Sequence, residues 1–118
     1  MATFTKRQLS GGGDDGLGIT VVATVTAGTL IHTCSATAAE FDEIWLYAAN
    51  IHSSAVTLTV EFGGVSVTKD IIQQSIAATP SGLVLVCAGL LVTGSVVVTA
   101  FAGTANKIEL FGFVNRIA

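Results

Sequence analysis

The residues able to do chemistry in this 118-residue chain are few and scattered. His32 and His52 stand 20 residues apart, and neither has a metal-ligand or nucleophile spacing around it. A metal pair would need Asp, Glu or Cys partners at matching geometry. General-base work likewise needs a positioned partner beside the histidine. His52 falls in Asn50-Ile51-His52-Ser53-Ser54, a turn between strands where an exposed histidine is ordinary. Asp42 and Glu43 are adjacent carboxylates, but neighbouring strand residues point to opposite faces, so they make no glycosidase-like pair. A charged edge ahead of the Trp45 strand is the plainer reading. Cys34 and Cys87 have no CxxC or Cys/His spacing. Both lie in apolar runs, where cysteine serves as a small hydrophobe; a disulfide between them is the alternative. The expectation is no enzyme, no cofactor and no metal.

Gly11-Gly12-Gly13-Asp14-Asp15-Gly16-Leu17-Gly18 has a phosphate loop's glycines but not its chemistry. It lacks the Lys and Ser/Thr of a Walker motif, no helical pattern follows, and two aspartates repel phosphate. Its spacing is not that of an EF-hand. Five glycines in eight residues read instead as a hinge, over residues 11–18. It would tether residues 1–10 as an interaction arm, able to add a strand to a neighbouring subunit. The arm carries Phe4, Lys6, Arg7 and Leu9. On the body, Trp45 and Tyr47 share a strand face, where aromatics either stack on a sugar or pack at an interface. These six residues are the candidate partner-binding set.

The elements that must position them are strands. Thr3–Leu9, Ile19–Thr26, Thr29–Cys34, Glu43–Ala49, Val56–Phe62, Asp70–Ala77, Leu83–Cys87, Ser95–Ala102 and Lys107–Ile117 read as extended. Val56, Leu58, Val60 and Phe62 should face inward, with Thr57, Thr59 and Glu61 outward. Only Thr37–Asp42 suggests a helix, and it is too short to stand alone. About eight or nine short strands punctuated by turns predict an all-β, single-domain antiparallel β-sandwich or barrel over residues 19–118.

Charge is scarce: the chain is 51% apolar and 11% charged, and residues 71–106 contain no charged side chain. A window from Leu83 to Phe101 would pass a hydropathy screen for a spanning helix. Ala88-Gly89 and Thr93-Gly94-Ser95 cut it, valines dominate it, and no Lys/Arg cluster flanks it, so strands explain it better. Lys6 and Arg7 precede glycines rather than an apolar core, unlike a signal peptide. A net charge of −3 offers no basic face for direct nucleic-acid binding. Leu83-Val84-Leu85-Val86 and Val96-Val97-Val98 put apolar residues on both faces of their strands. A lone sandwich cannot cover a second dry face, so a homo-oligomer, a trimer, or another protein should cover it.

The opening Met1-Ala2-Thr3-Phe4-Thr5-Lys6-Arg7, the segment Phe41-Asp42-Glu43-Ile44-Trp45-Leu46-Tyr47-Ala48-Ala49-Asn50 and the closing Phe111-Gly112-Phe113-Val114-Asn115-Arg116-Ile117 resemble small virion proteins of tailed bacteriophages. Within that group the chain is most similar to capsid decoration, or cement, proteins. The resemblance implies a β-rich fold, homotrimers on the capsid surface, contact with the major capsid protein or other virion subunits, and stabilisation of the shell. It brings no catalytic residue and no cofactor. A tail, neck or fibre component, or a carbohydrate-binding sandwich, are the alternatives.

Overall fold

The computed structural model describes residues 2–12, 15–64 and 69–118. Among them are nine strands and no helix: β1 (Phe4–Gln8), β2 (Ile19–Thr20), β3 (Thr29–Thr33), β4 (Phe41–Asn50), β5 (Val56–Phe62), β6 (Ile71–Ile76), β7 (Val84–Val92), β8 (Val97–Ala102) and β9 (Ile108–Ile117). Sheet A runs β1-β9-β4-β7, and β2 pairs with β9 beyond the end of β1. Sheet B runs β3-β8-β5-β6, and every pairing in both sheets is antiparallel. The fold is the expected all-β sandwich.

Period-two alternation builds the core. Ile44, Leu46 and Ala48 of β4 and Leu110 and Val114 of β9 are fully buried. They belong to one cluster with Leu58 and Val60 of β5 and Val98 and Ala100 of β8. Strand β9 is the hub of sheet A, pairing β4 on one side and β1 and β2 in succession on the other. Its middle fits only glycine: a Cβ at Gly112 would lie 2.1 Å from the Trp45 carbonyl oxygen.

Several expectations need correction. Residues 37–39 form a turn, not a helix, closed by Ala39 at φ 67° before β4 begins. The second strand stops at Thr20, because the Val22 and Ala23 N–H groups donate to the Thr29 hydroxyl rather than to a neighbouring strand. Ala88-Gly89 does not cut its strand. Ile44 pairs with Leu90 while Trp45 pairs with Ala88, so Gly89, at φ +75°, is the extra residue of a β-bulge. Thr59 and Glu61 are buried, not wet. Glu61 accepts hydrogen bonds from the Thr26 hydroxyl, the Gly28 N–H and the Thr99 hydroxyl under the loop between β2 and β3. The charge-free stretch folds as β6, β7 and β8, and no helix among the described residues is long and apolar enough to cross a membrane.

The arm and hinge also look different. Residues Phe4–Gln8 lie on their own chain's sheet as edge strand β1, five residues in register with Phe113–Ile117. Leu9 then turns into the core. The Gly11 N–H donates to the Ile31 carbonyl at 2.8 Å, and a Cβ on Gly11 would lie 2.3 Å from the Leu30 oxygen. Gly11 is therefore needed for close approach, not for looseness. Ser10 and Gly11 thus carry the chain from sheet A to the edge of sheet B. Gly13 and Asp14 of the expected hinge lie outside the described residues.

Candidate functional site

Two features could carry function: the outer face of sheet A and a buried polar network where the two sheets meet beside β1 and β3.

The outer face is aromatic. On β4 the residues alternate with the core, so Phe41, Glu43, Trp45 and Tyr47 point outward. Register sets Trp45 opposite Phe113 and Tyr47 opposite Phe111. The Trp45 and Phe113 rings stack with centroids 6.2 Å apart and planes 10° apart. Lys6 of β1 places its ammonium 4.8 Å from the centre of the Phe113 ring, within cation–π range. The Trp45 indole N–H and the Asn115 amide donate to Glu43 Oε1 at 2.8 and 2.9 Å and hold that carboxyl below the ordinary range. Exposed Phe4, Leu85 and Leu91 extend the face across β1 and β7. The outer face of sheet B is mixed: Thr57, Gln73, Ser75 and Thr99 stand among Leu30, Ile71, Val97 and Phe101, and Thr59 and Glu61 on the same side are covered.

Of the six residues expected to bind a partner, Phe4, Lys6, Trp45 and Tyr47 therefore share this face. Arg7 is on the opposite side of β1, and Leu9 is buried at 7% exposure, so it offers nothing to a partner.

The buried network was invisible in the sequence. Expected at a charged edge, Asp42 sits instead on the inner side of β4 with no exposure. Directly opposite on β9, Arg116 donates from Nε to Oδ1 at 2.7 Å and from Nη2 to Oδ2 at 2.9 Å. His32 Nε2 lies 2.8 Å from Oδ2. A bulge in β3 between Leu30 and His32 turns both Ile31 and His32 inward, which strict alternation forbids. Burial pushes the Asp42 carboxyl upward, but hydrogen bonds and charge from Arg116 and His32 outweigh it and hold the group below its ordinary value. Ser10 completes the chain: its N–H donates to His32 Nδ1 at 3.1 Å, and its Oγ lies 3.2 Å from the same nitrogen. A backbone N–H can only donate, so Nδ1 is the acceptor and the hydrogen sits on Nε2, aimed at Asp42.

That tautomer decides what the cluster can do. His32, Cys34 and Asp42 bring their ligand atoms within 4.8 Å of one another, the donor set of a metal site. Yet a cation on Nε2 would move the ring hydrogen to Nδ1, against the Ser10 N–H. It would also compete with Arg116 for both Asp42 oxygens. Burial and the Asp42 charge push the Cys34 thiol up to about 11, so a thiolate ligand is costly as well. Ser10, His32 and Asp42 also trace a serine–histidine–carboxylate line. But the Ser10 N–H shares the Nδ1 lone pair, Ser10 Oγ already accepts the Thr33 N–H at 2.8 Å, and Arg116 neutralises the carboxylate. As folded, the network is a latch tying Ser10, β3, β4 and β9 together. Cys34 and Cys87 are both free and buried, so the disulfide alternative is not formed.

Above the latch, between β1 and β3, a pocket of about 700 Å³ opens to solvent, with Arg7 and Arg116 in its wall. No known family, curated protein or solved structure matches this chain.

Proposed function

We propose that this chain is a non-enzymatic structural virion protein that decorates the capsid of a tailed phage and stabilises the shell. In this reading it docks on the major capsid protein, as a homotrimer, through the outer face of sheet A. One observation carries the reading: the outward positions of β4 and β9 include Phe41, Trp45, Tyr47, Phe111 and Phe113. An antiparallel sheet facing only water alternates apolar-in with polar-out. A contiguous apolar outer face flanked by exposed Phe4, Leu85 and Leu91 fits a protein–protein contact. Aromatics enriched over charge at a patch centre are the composition of interface cores. The resemblance to decoration proteins agrees and supplies the capsid; the face itself names no partner.

Purified virions test the proposal. The protein should coat the shell in many copies, and shells lacking it should burst more readily on heating or osmotic shock. Trp45→Asp should abolish attachment while the sandwich stays folded. A few copies clustered at the tail would favour a tail, neck or fibre role. Absence from the particle would overturn both.

A second reading has its own observation. The stacked Trp45–Phe113 pair is bordered by Lys6, Glu43 and Asn115, an apolar platform with hydrogen-bonding groups beside it. Such a platform suits a sugar ring. Saturable glycan binding lost in Trp45→Ala would favour a carbohydrate-binding module.

A further inference from the structure

We propose that the pocket between β1 and β3 is a binding site for a carboxylate group. The chain has only five Lys and Arg residues, and both of its arginines stand in the wall of this one pocket. No Asp or Glu lines it among the described residues. Asp42 lies beneath, fully buried, and offsets the charge of Arg116. Glu40 accepts the Ser35 hydroxyl at 2.6 Å and does not line the pocket. Glu40 still acts on the charge of Arg116 from nearby, but the wall itself carries two guanidinium groups and no carboxylate, in a protein whose net charge is −3.

The two arginines play different parts. The latch holds the Arg116 guanidinium through Nε and Nη2, which leaves Nη1 without a protein partner among the described residues. That charge is pre-positioned, so a ligand need not order it. Arg7, exposed on the edge strand, stands diagonally across the β1–β9 pairing from Arg116 and brings a second planar fork of donors to the same wall. Guanidinium forks match carboxylate geometry, and charge-assisted hydrogen bonds are the strong kind. With Asp42 and Glu40 already offsetting part of the arginines' charge, the wall suits a monoanionic carboxylate better than a phosphate dianion. Ser10, Thr33, Ser35 and Thr37 make the rest of the wall polar, and about 700 Å³ leaves room for the group that carries the carboxylate. That group is either an acidic side chain of a protein partner or a free small carboxylic acid.

This site is on the opposite side of sheet A from the aromatic face, so it stands or falls separately from docking. The test is an amide-resolved NMR titration of the full chain at low salt with three probes: butyrate, a short end-blocked peptide with a single Glu, and inorganic phosphate. Both carboxylate probes should shift the amides of residues 8–12 and 32–37 saturably. Arg7→Gln should weaken that binding at least about tenfold, Arg7→Lys should retain part of it, and Trp45→Ala should leave it unchanged. Arg7 is exposed on an edge strand, so these variants should fold, which circular dichroism checks. A peptide that binds more tightly than butyrate assigns the carboxylate to a protein partner; equal or weaker binding assigns it to a free acid. Phosphate binding more tightly than either carboxylate, no saturation by any probe, or unchanged binding in Arg7→Gln overturns the proposal.

Discussion

At the scale of single residues the molecule turns on Asp42. A carboxylate with no exposure keeps its charge only because Arg116 and His32 supply three short hydrogen bonds to it. Its carboxyl is held below the ordinary value of 3.8, so the unfolded chain binds the proton more readily than the folded one. The latch therefore contributes its full stability above about pH 4, and that contribution is lost as pH falls further. Urea midpoints measured from about pH 6 down to pH 2 should drop steeply in the native protein and more shallowly in Asp42→Asn. At neutral pH the same variant should lose about 2–3 kcal/mol. That is below the range for a fully buried pair, because the Arg116 side chain keeps 20% exposure. Parallel pH profiles for the two proteins would show that the latch is not what acid breaks.

At the scale of elements, β1 is the piece whose role is most open to test. All five of its residues are exposed, and among the described residues it pairs only with β9, at the edge of sheet A. Its attachment rests on backbone hydrogen bonds and on Leu9, which anchors the next residue in the core. Deleting residues 1–8 while keeping Leu9 should leave the sandwich folded but lower its stability by several kcal/mol, since the two Thr3–Ala118 bonds and the β1–β9 ladder are lost and each such bond is worth about 1 kcal/mol net. It would also expose the edge of β9, an invitation to pair with another chain. Denaturant unfolding with light scattering on the same samples reads both effects. Complete unfolding of the truncated chain in water would make β1 part of the cooperative core. Strand β7, the opposite edge, is blunted differently. Its pairing with β4 shifts register twice, with Gly89 the extra residue at one shift, and such bulges twist an edge away from unwanted partners.

At the scale of the whole molecule the two outer faces are unequal. Sheet B mixes hydroxyls and amides with apolar side chains, while sheet A presents aromatic rings and leucines. Burying roughly 800 Å² per partner is typical of a stable contact, and the apolar face of sheet A is the surface suited to it. Purified protein at micromolar concentration should run as a trimer of the 12.0 kDa chain by light scattering, and Trp45→Asp, on the capsid-facing side, should leave that trimer intact. A native protein that stays monomeric in solution and on its capsid would remove the trimer from the proposal.

Much of the architecture was legible in the residue pattern, because strand periodicity is local. Val56, Leu58 and Val60 face inward as their spacing requires, and Trp45 and Tyr47 share the outer side of β4. Composition also announced a dry second face, and sheet A shows the more aromatic one, while sheet B mixes Leu30, Val97 and Phe101 with polar residues. What the sequence could not contain was the latch. Ser10, His32, Asp42 and Arg116 come from four distant stretches, and each looks ordinary where it stands. Two tertiary facts bring them together. Antiparallel register sets Arg116 opposite Asp42 over a separation of 74 residues, and a one-residue bulge turns His32 to the interior beside the inward Ile31. Strand pairing also overrode the glycines of the supposed hinge, because Gly11 is packed against β3. Alternation is set by neighbouring residues and survives in a string of letters; register and bulges are set by which strands meet, and only the folded chain decides that.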